Sequence, residues 1–444
     1  MVSVKKFVLI YSSIASFGII FSCNKGHTAP PMGSNEALNH WQYAQMERYY
    51  YWAHKLPKTI DYGRSPDDFF HMLLAPEDRF SSILQSRNER TFGKTLTNTF
   101  GIDLLTVDQE DQSLHILSQV VPFSNGALAG LARGDSIVQI NGIDLRFADM
   151  KQTVNEALSN NTLRLTLKNG KDVELPSSYI AQPVLYAQAI LNDPANSGYL
   201  YLSHFDFAGA YDLLYAVKTL KDAKVSQLIL DLRYNPGGQV SFAAFCALLF
   251  APVSADDIFV RYRGNDRMAN IDDTFADALA RQADGYSFTA SELIAARLPL
   301  QRIAILTTPH TASAAELLIN SLRPYVEVVH VGEATMGKDM ASVTLTSPPE
   351  VNGENASWHI LPLVYKIYNR ELQGDYEKGI SPQRFAKEYQ TLPLYPFGDM
   401  RDPLVKEALT SATRSSSKQP LAIPKRTVLR FESRPYEHMP MLRN

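Results

Sequence analysis

The chain has 444 residues, 45% hydrophobic and 20% charged, an ordinary globular balance with length for two or three domains. A formal net charge of −3 argues against a nucleic-acid binder, which carries a basic face. Two cysteines, Cys23 and Cys246, make no disulfide framework, and Cys246 sits in an apolar run that suits a buried small hydrophobe.

The first residues have the layout of an export signal. Lys5 and Lys6 precede an apolar run, Phe7 to Phe21, too short for a comfortable membrane span. Ile20-Phe21-Ser22-Cys23 is similar to a bacterial lipoprotein box, which implies lipidation at Cys23; the plainer alternative is a secreted protein cleaved nearby. A polar tether with Gly and Pro follows. NEALNHWQYAQMERYYYWAHKL then predicts a helix whose Trp41, Tyr43, Met46, Tyr50 and Trp52 form a core face. PDDFFHMLL adds a short helix, and EDRFSSIL closes this region.

From Phe100 to Pro176 the pattern turns to short strands. Gly130 and Gly134 flank a turn, Ile137 to Ile140 is a strand, and Asn141-Gly142 and Asn169-Gly170 are hairpin signals. A helix, MKQTVNEALSN, lies between them. From Tyr179 strands and helices alternate: GYLYLSHFDF, AYDLLYAVKTLKDA, SQLILDL. That order predicts an α/β fold with a mainly parallel sheet through Ser342. Between Ala255 and Tyr286 the chain reads as a largely polar insertion of the kind that shapes clefts. Trp358 to Leu372 reads as strand, and Asp402 to Ala412 as a last helix. The final segment is basic, with Pro and Ser in its first half, and reads as loosely ordered.

Two stretches carry chemistry. LILDLRYNPGGQVSFAAFCALLF is a strand, a Gly turn and a helix start, which aims backbone N–H groups at one point and suits an anion or a developing oxyanion. It lacks the spacings of nucleotide-phosphate loops. After the strand Ile303 to Leu306, Ser313 stands in a turn of small residues, and Lys338 stands in a second turn between Gly337 and Asp339. Each has a plain structural reading: Ser313 with Glu316 fits a capping box, and a lysine after glycine is commonly a solvated turn residue. A serine and a lysine at strand ends can also form a nucleophile and its base.

DLRYNPGG, TASAAE and GEATMGK, in that order, resemble the tail-specific, or carboxyl-terminal processing, serine peptidases. The resemblance spans roughly Asn39 to Leu409, and its 25-residue interval from Ser313 to Lys338 matches that family's spacing. It implies Ser313 as nucleophile, Lys338 as base, and oxyanion donors among the backbone amides of Gly237, Gly238 and Ala314; Pro236 has no N–H to give. Where relatives carry a lysine-orienting glutamine this chain has Ser342, and Gln383 replaces an aspartate in GISPQ. It further implies a crotonase-like spiral core and a PDZ domain whose Phe100-Gly101-Ile102 loop takes a peptide carboxyl end. The divisions are then a lipoprotein signal peptide at 1–22, a tether at 23–35, a helical region at 36–95, PDZ at 96–178, peptidase core at 179–412 and basic tail at 413–444.

The expected function is a serine endopeptidase that cuts flexible or C-terminal segments of proteins. It acts without cofactor or metal, on protein or peptide substrates, from a lipid anchor in a bacterial cell envelope facing the periplasm or cell surface. The competing readings are a lipid-anchored peptide-binding scaffold with an inactive core and a hydrolase using His310 as base, although Ser313 is not in G-x-S-x-G and neither H-E-x-x-H nor C-x-x-C occurs. A lysine base must be desolvated and unpaired, so Asp339 and Glu333 are expected to point away from Lys338, with Ser342 or a backbone carbonyl orienting the amine.

Overall fold

The computed structural model describes residues 30–86, 94–110, 112–193, 195–298, 300–352, 357–411 and 427–434. Cys23 and the export signal lie outside the described residues, as does most of the tether.

The N-terminal region packs by its aromatic residues. α1 (Asn35–Tyr49) starts at Ser34, whose hydroxyl accepts from Ala37 N, and α2 (Pro66–Leu73) starts at Ser65 with proline in the first turn, where no N–H is needed. Met46, Tyr50, Phe69, Phe70 and Leu73 form one apolar cluster, with Trp41, Tyr43 and Trp52 against it, so the stripe is core. β1 (Ser82–Ser86) leaves this region to pair antiparallel with residues 357–361.

The next unit is a small β module: α3 (Leu96–Phe100), β2 (Ile102–Gln109), β3 (Gln112–Val120), α4 (Asn125–Leu128), β4 (Ser136–Ile140), β5 (Ile143–Asp144), α5 (Met150–Ser159), β6 (Thr162–Leu167) and β7 (Asp172–Pro176). Gly101 ends α3 at φ +76°, and a Cβ there would stand 2.3 Å from Ser124 Cβ, so the turn needs glycine twice over. Phe100 and Ile102 point into the module's core with Leu104, Leu117 and Leu165.

The core begins with β8 (Leu185–Ile190), β9 (Ser197–Leu202), α6 (Ala210–Asp222), β10 (Gln227–Asp231) and α7 (Val240–Phe250). It continues through β11 (Ile258–Arg263), β12 (Ile271–Thr274), α8 (Phe275–Leu279), α9 (Ala290–Ala296), β13 (Arg302–Thr307), α10 (Ala314–Leu322) and β14 (Glu327–Gly332). It closes with β15 (Met340–Ser342), β16 (Leu345–Thr346), α11 (Pro349–Asn352), β17 (Ser357–Leu361), β18 (Leu363–Tyr368), β19 (Arg384–Phe385) and α12 (Pro403–Ser411). Six strands run in the order β19-β14-β13-β10-β9-β8, with every pairing parallel except β8 with β9. Apolar clusters cover both faces: α6, α7 and α10 on one, α12 on the other. α7 is buried on every side, Cys246 included, which is why its sequence is apolar throughout.

Four readings of the sequence change here. Antiparallel pairings dominate outside the six-stranded sheet, in the module and in the sheets β12-β11-β18-β15 and β1-β17-β16. The apparent insertion supplies β11, β12 and α8, with Phe259, Val260, Tyr262, Phe275 and Leu279 buried among its polar residues. The single strand expected over 358–372 is two: Pro362 interrupts it, and β17 and β18 join different sheets. The tail also departs from the loosely ordered reading, because Thr427–Glu432 forms a strand, β20, on the edge of β2. Its alternation of Val428, Arg430 and Glu432 with Leu429 and Phe431 suits a half-buried edge, a pattern its basic composition masks.

Candidate active site

Ser313 sits where β13 turns sharply into α10, at φ +61° and ψ −122°, a region that non-glycine residues rarely enter. The surroundings hold it there. Ala312 N donates to Asn235 O (3.0 Å), Thr311 Oγ1 donates to Leu232 O (2.8 Å), and Ser313 N donates to Glu316 Oε2 (2.8 Å). Ser313 Oγ is buried and has no hydrogen-bond partner among the described residues. The hydroxyl is therefore not spent on capping the helix.

Glu316 is the joint of the site, a role its place in a capping pattern concealed. Its Oε2 accepts from Ser313 N and also from Lys338 N (2.8 Å), so one oxygen ties both turns together. Oε1 accepts from Thr335 Oγ1 (2.5 Å) and Gly337 N (2.7 Å). Met336 N adds a bond to Thr311 O (2.9 Å). These donors meet the needs of a carboxylate that burial alone pushes toward neutrality.

Lys338 is buried, and desolvation draws its pKa down to about 8, against the opposing pull of Glu316 and Asp78. Phe80 supplies part of the apolar cover: its ring centre is 5.6 Å from Lys338 Nζ, in a cluster with Met340 and Leu363. EDRFSS is built to deliver that ring. Asp78 Oδ1 accepts from Phe80 N and Ser81 N, Arg79 donates to Glu377 O and Met336 O, and Leu363 N donates to Ser81 Oγ. The two carboxylates expected to point away each have another lysine. Asp339 lies 3.5 Å from Lys366 Nζ, and Glu333 lies 3.7 Å from Lys387 Nζ. Ser342 is buried in β15 opposite Leu363, at a shift in the strand register.

The Gly turn lies against the serine. At Gly237, φ +98°, a Cβ would come within 2.8 Å of Ser313 Cβ and 2.7 Å of Ala314 N. Its own N–H is donated to Asn235 Oδ1 (2.8 Å), which removes it from the expected oxyanion donors and leaves Gly238 and Ala314. Behind the turn stands a buried ionic network. Asp231 holds Arg233, Arg233 reaches Asp402 (2.9 Å), and Glu388 accepts from Tyr234 and from Arg133 of the β module (2.7 Å). His310 Nε2 is 2.6 Å from Glu432 Oε2 of β20. Gln383, in place of an aspartate, bridges β14 to β19: its Oε1 accepts from His330 N (3.1 Å) and its N donates to His330 O (2.9 Å). Phe100 and Ile102 are core side chains, so any ligand at that loop would meet its backbone.

An α/β core with a serine at a sharp strand-to-helix turn is an arrangement that serine-type hydrolases use. Two family models agree: "Peptidase family S41" matches residues 196–383 and "Peptidase S41 N-terminal domain" matches residues 37–82. The chain belongs to peptidase family S41, that of the carboxyl-terminal processing serine proteases. A carboxyl-terminal-processing protease of Synechocystis is 27% identical over 279 residues, 61% of this chain and 60% of that protein. Carboxy-terminal processing protease CtpA of Bacillus subtilis is 22% identical over 355 residues, 77% of this chain and 69% of that protein. The matches thus span about three fifths to two thirds of those relatives' lengths. A Bacteroides fragilis structure assigned to the S41 proteases is 25% identical with a TM-score of 0.69, covering 88% of this chain and 99% of that one.

Proposed function

We propose that the protein is an endopeptidase that uses Ser313 as nucleophile and Lys338 as general base on flexible or C-terminal segments of proteins. The observation that carries this reading is the pairing, through Glu316, of a serine with an unengaged buried Oγ and a lysine brought down to about 8. Neutral Lys338 Nζ takes the Ser313 proton as Oγ attacks the peptide carbonyl carbon. The N–H groups of Gly238 and Ala314 receive the developing oxyanion. The Lys338 ammonium then gives its proton to the leaving amine, and water releases the acyl group by the reverse sequence.

The β module acts in this reading as a PDZ domain that holds a substrate tail along β2, with its carboxyl end at the backbone of the Phe100-Gly101-Ile102 turn. Lipidation at Cys23 anchors the enzyme in a bacterial envelope. The decisive experiment treats a library of unstructured peptides with wild type and Ser313→Ala and reads products by mass spectrometry. Cleavage by wild type alone is expected. Absence of cleavage by both would favour the alternative, a peptide-binding scaffold with an inactive core.

A further inference from the structure

The outer edge of β2 is already occupied. β20 lies antiparallel on it, from Thr427 opposite Gln109 to Glu432 opposite Leu105. Ser433 extends the pairing, with its N donating to Leu104 O and its Oγ accepting from Leu104 N, both at 2.9 Å. The segment therefore runs toward the Gly101 turn, the direction an extended peptide takes if its carboxyl end is to reach that turn. A shift in register between Thr106 and Val107 sends Leu429 and Phe431 to different clusters. Phe431 packs against the module's own core, the cluster that holds Leu96, Phe100 and Ile102, and Leu429 packs against Leu105, Val107 and Tyr389.

The same eight residues reach the peptidase core. Glu432 meets His310, three residues before Ser313. The Arg434 guanidinium donates to Asp103 Oδ2 (2.6 Å) and Gln119, and lies 3.7 Å over the ring of Tyr234 in DLRYNPGG. One stretch thus closes a sheet edge, fills an apolar site and touches both turns that frame Ser313. Its side chains are only partly buried and Arg430 is exposed.

We propose that residues 427–434 are an internal occupant of a peptide-docking edge, and that an incoming protein tail binds β2 by exchange with them. The tail that fits is extended, lies antiparallel to β2 and carries a large apolar residue at the place of Phe431. This rests on the reading of the module as peptide-binding, and deepens it. Exchange withdraws Glu432 from His310 and Arg434 from Tyr234, so the core registers whether the edge holds its own segment or a guest. Tethering keeps the resident segment at high effective concentration, so guests compete well only when they match its pattern.

The test uses full-length protein and a fluorescein-labelled peptide of the resident sequence, TVLRFESR, followed by anisotropy. In a Cys23→Ala background, Gln109→Cys with Thr427→Cys places two thiols on directly paired residues, within disulfide reach. Oxidation should weaken probe binding at least tenfold and reduction should restore it, which makes each sample its own folding control. Phe431→Ala, which loosens the resident strand, should bind the probe at least tenfold more tightly than wild type. Equal binding by the oxidised and reduced forms, or no gain in Phe431→Ala, would overturn the exchange. Proteolysis is scored separately: if wild type cuts nothing while exchange behaves as described, only the peptidase reading fails.

Discussion

At the scale of single residues the site turns on how far burial can unsettle a charge. A free lysine near 10.4 is almost wholly protonated at neutral pH, whereas Lys338, brought to about 8, has a useful neutral fraction. Activity should therefore rise with pH and level off above about 8, as the ammonium loses its proton. Lys338→Arg should be as inactive as Lys338→Ala, since a guanidinium stays charged; substantial cleavage by the arginine variant would return His310 to consideration. The same shift bears on stability. Its folded value lies below its unfolded value, so the unfolded chain holds more protons between about pH 8 and 10.5, and stability rises with pH through that window. Below it the cost of burying the ammonium is present in full, about 3 kcal/mol at about 1.4 per unit. Lys338→Met should thus be about 1–3 kcal/mol more stable than wild type in urea at pH 7, with the difference shrinking toward pH 10. A less stable Lys338→Met at pH 7 would mean the lysine is not buried as described.

At the scale of elements the site is three turns held in contact. Asn235 O ties the Gly turn to the serine turn, and Thr311 O ties the serine turn to the lysine turn, with Glu316 beneath both. The glycine at 237 is required by this contact, since a methyl group there meets the backbone of Ala314 and Cβ of Ser313. Gly237→Ala should cost at least tenfold in kcat/KM while leaving secondary structure intact by circular dichroism, because it displaces the nucleophile and not the sheet. Full activity in that variant would show that the turn has room the geometry denies. The ionic group Arg133, Arg233, Glu388 and Asp402 braces these turns from behind and joins the β module to the core. Removal of any one member strands a buried charge, which makes the group intolerant of single substitutions.

At the scale of the whole molecule, distant segments converge on one small volume. Phe80 arrives from the N-terminal region, Arg133 from the β module and Glu432 from the last described strand. The proposed anchor adds a further level. Cys23→Ala should leave the protein unlipidated and shift it from the membrane to the soluble fraction, as read by fractionation and intact mass. A membrane share unchanged by the substitution would remove the lipid anchor.

Family membership was legible in the chain alone, because the three motifs stand in order and their glycines and small residues are demanded by local backbone. The helices expected from Asn35, Pro66 and Met150 begin by equally local chemistry, which the structure adds: Ser34, Ser65 and Asp149 each accept from an amide three residues on. Other features depend on residues far apart in sequence. Nothing around Lys338 announces that Phe80 will cover it, that Glu316 will collect four donors, or that Asn235 will take the amide of Gly237. Nor does a basic tail announce β20, since an edge strand needs only a partner with an open side. Burial and hydrogen-bond exchange are properties of the assembled surface, and only the tertiary structure decides which lysine loses its water and which amide remains to be used.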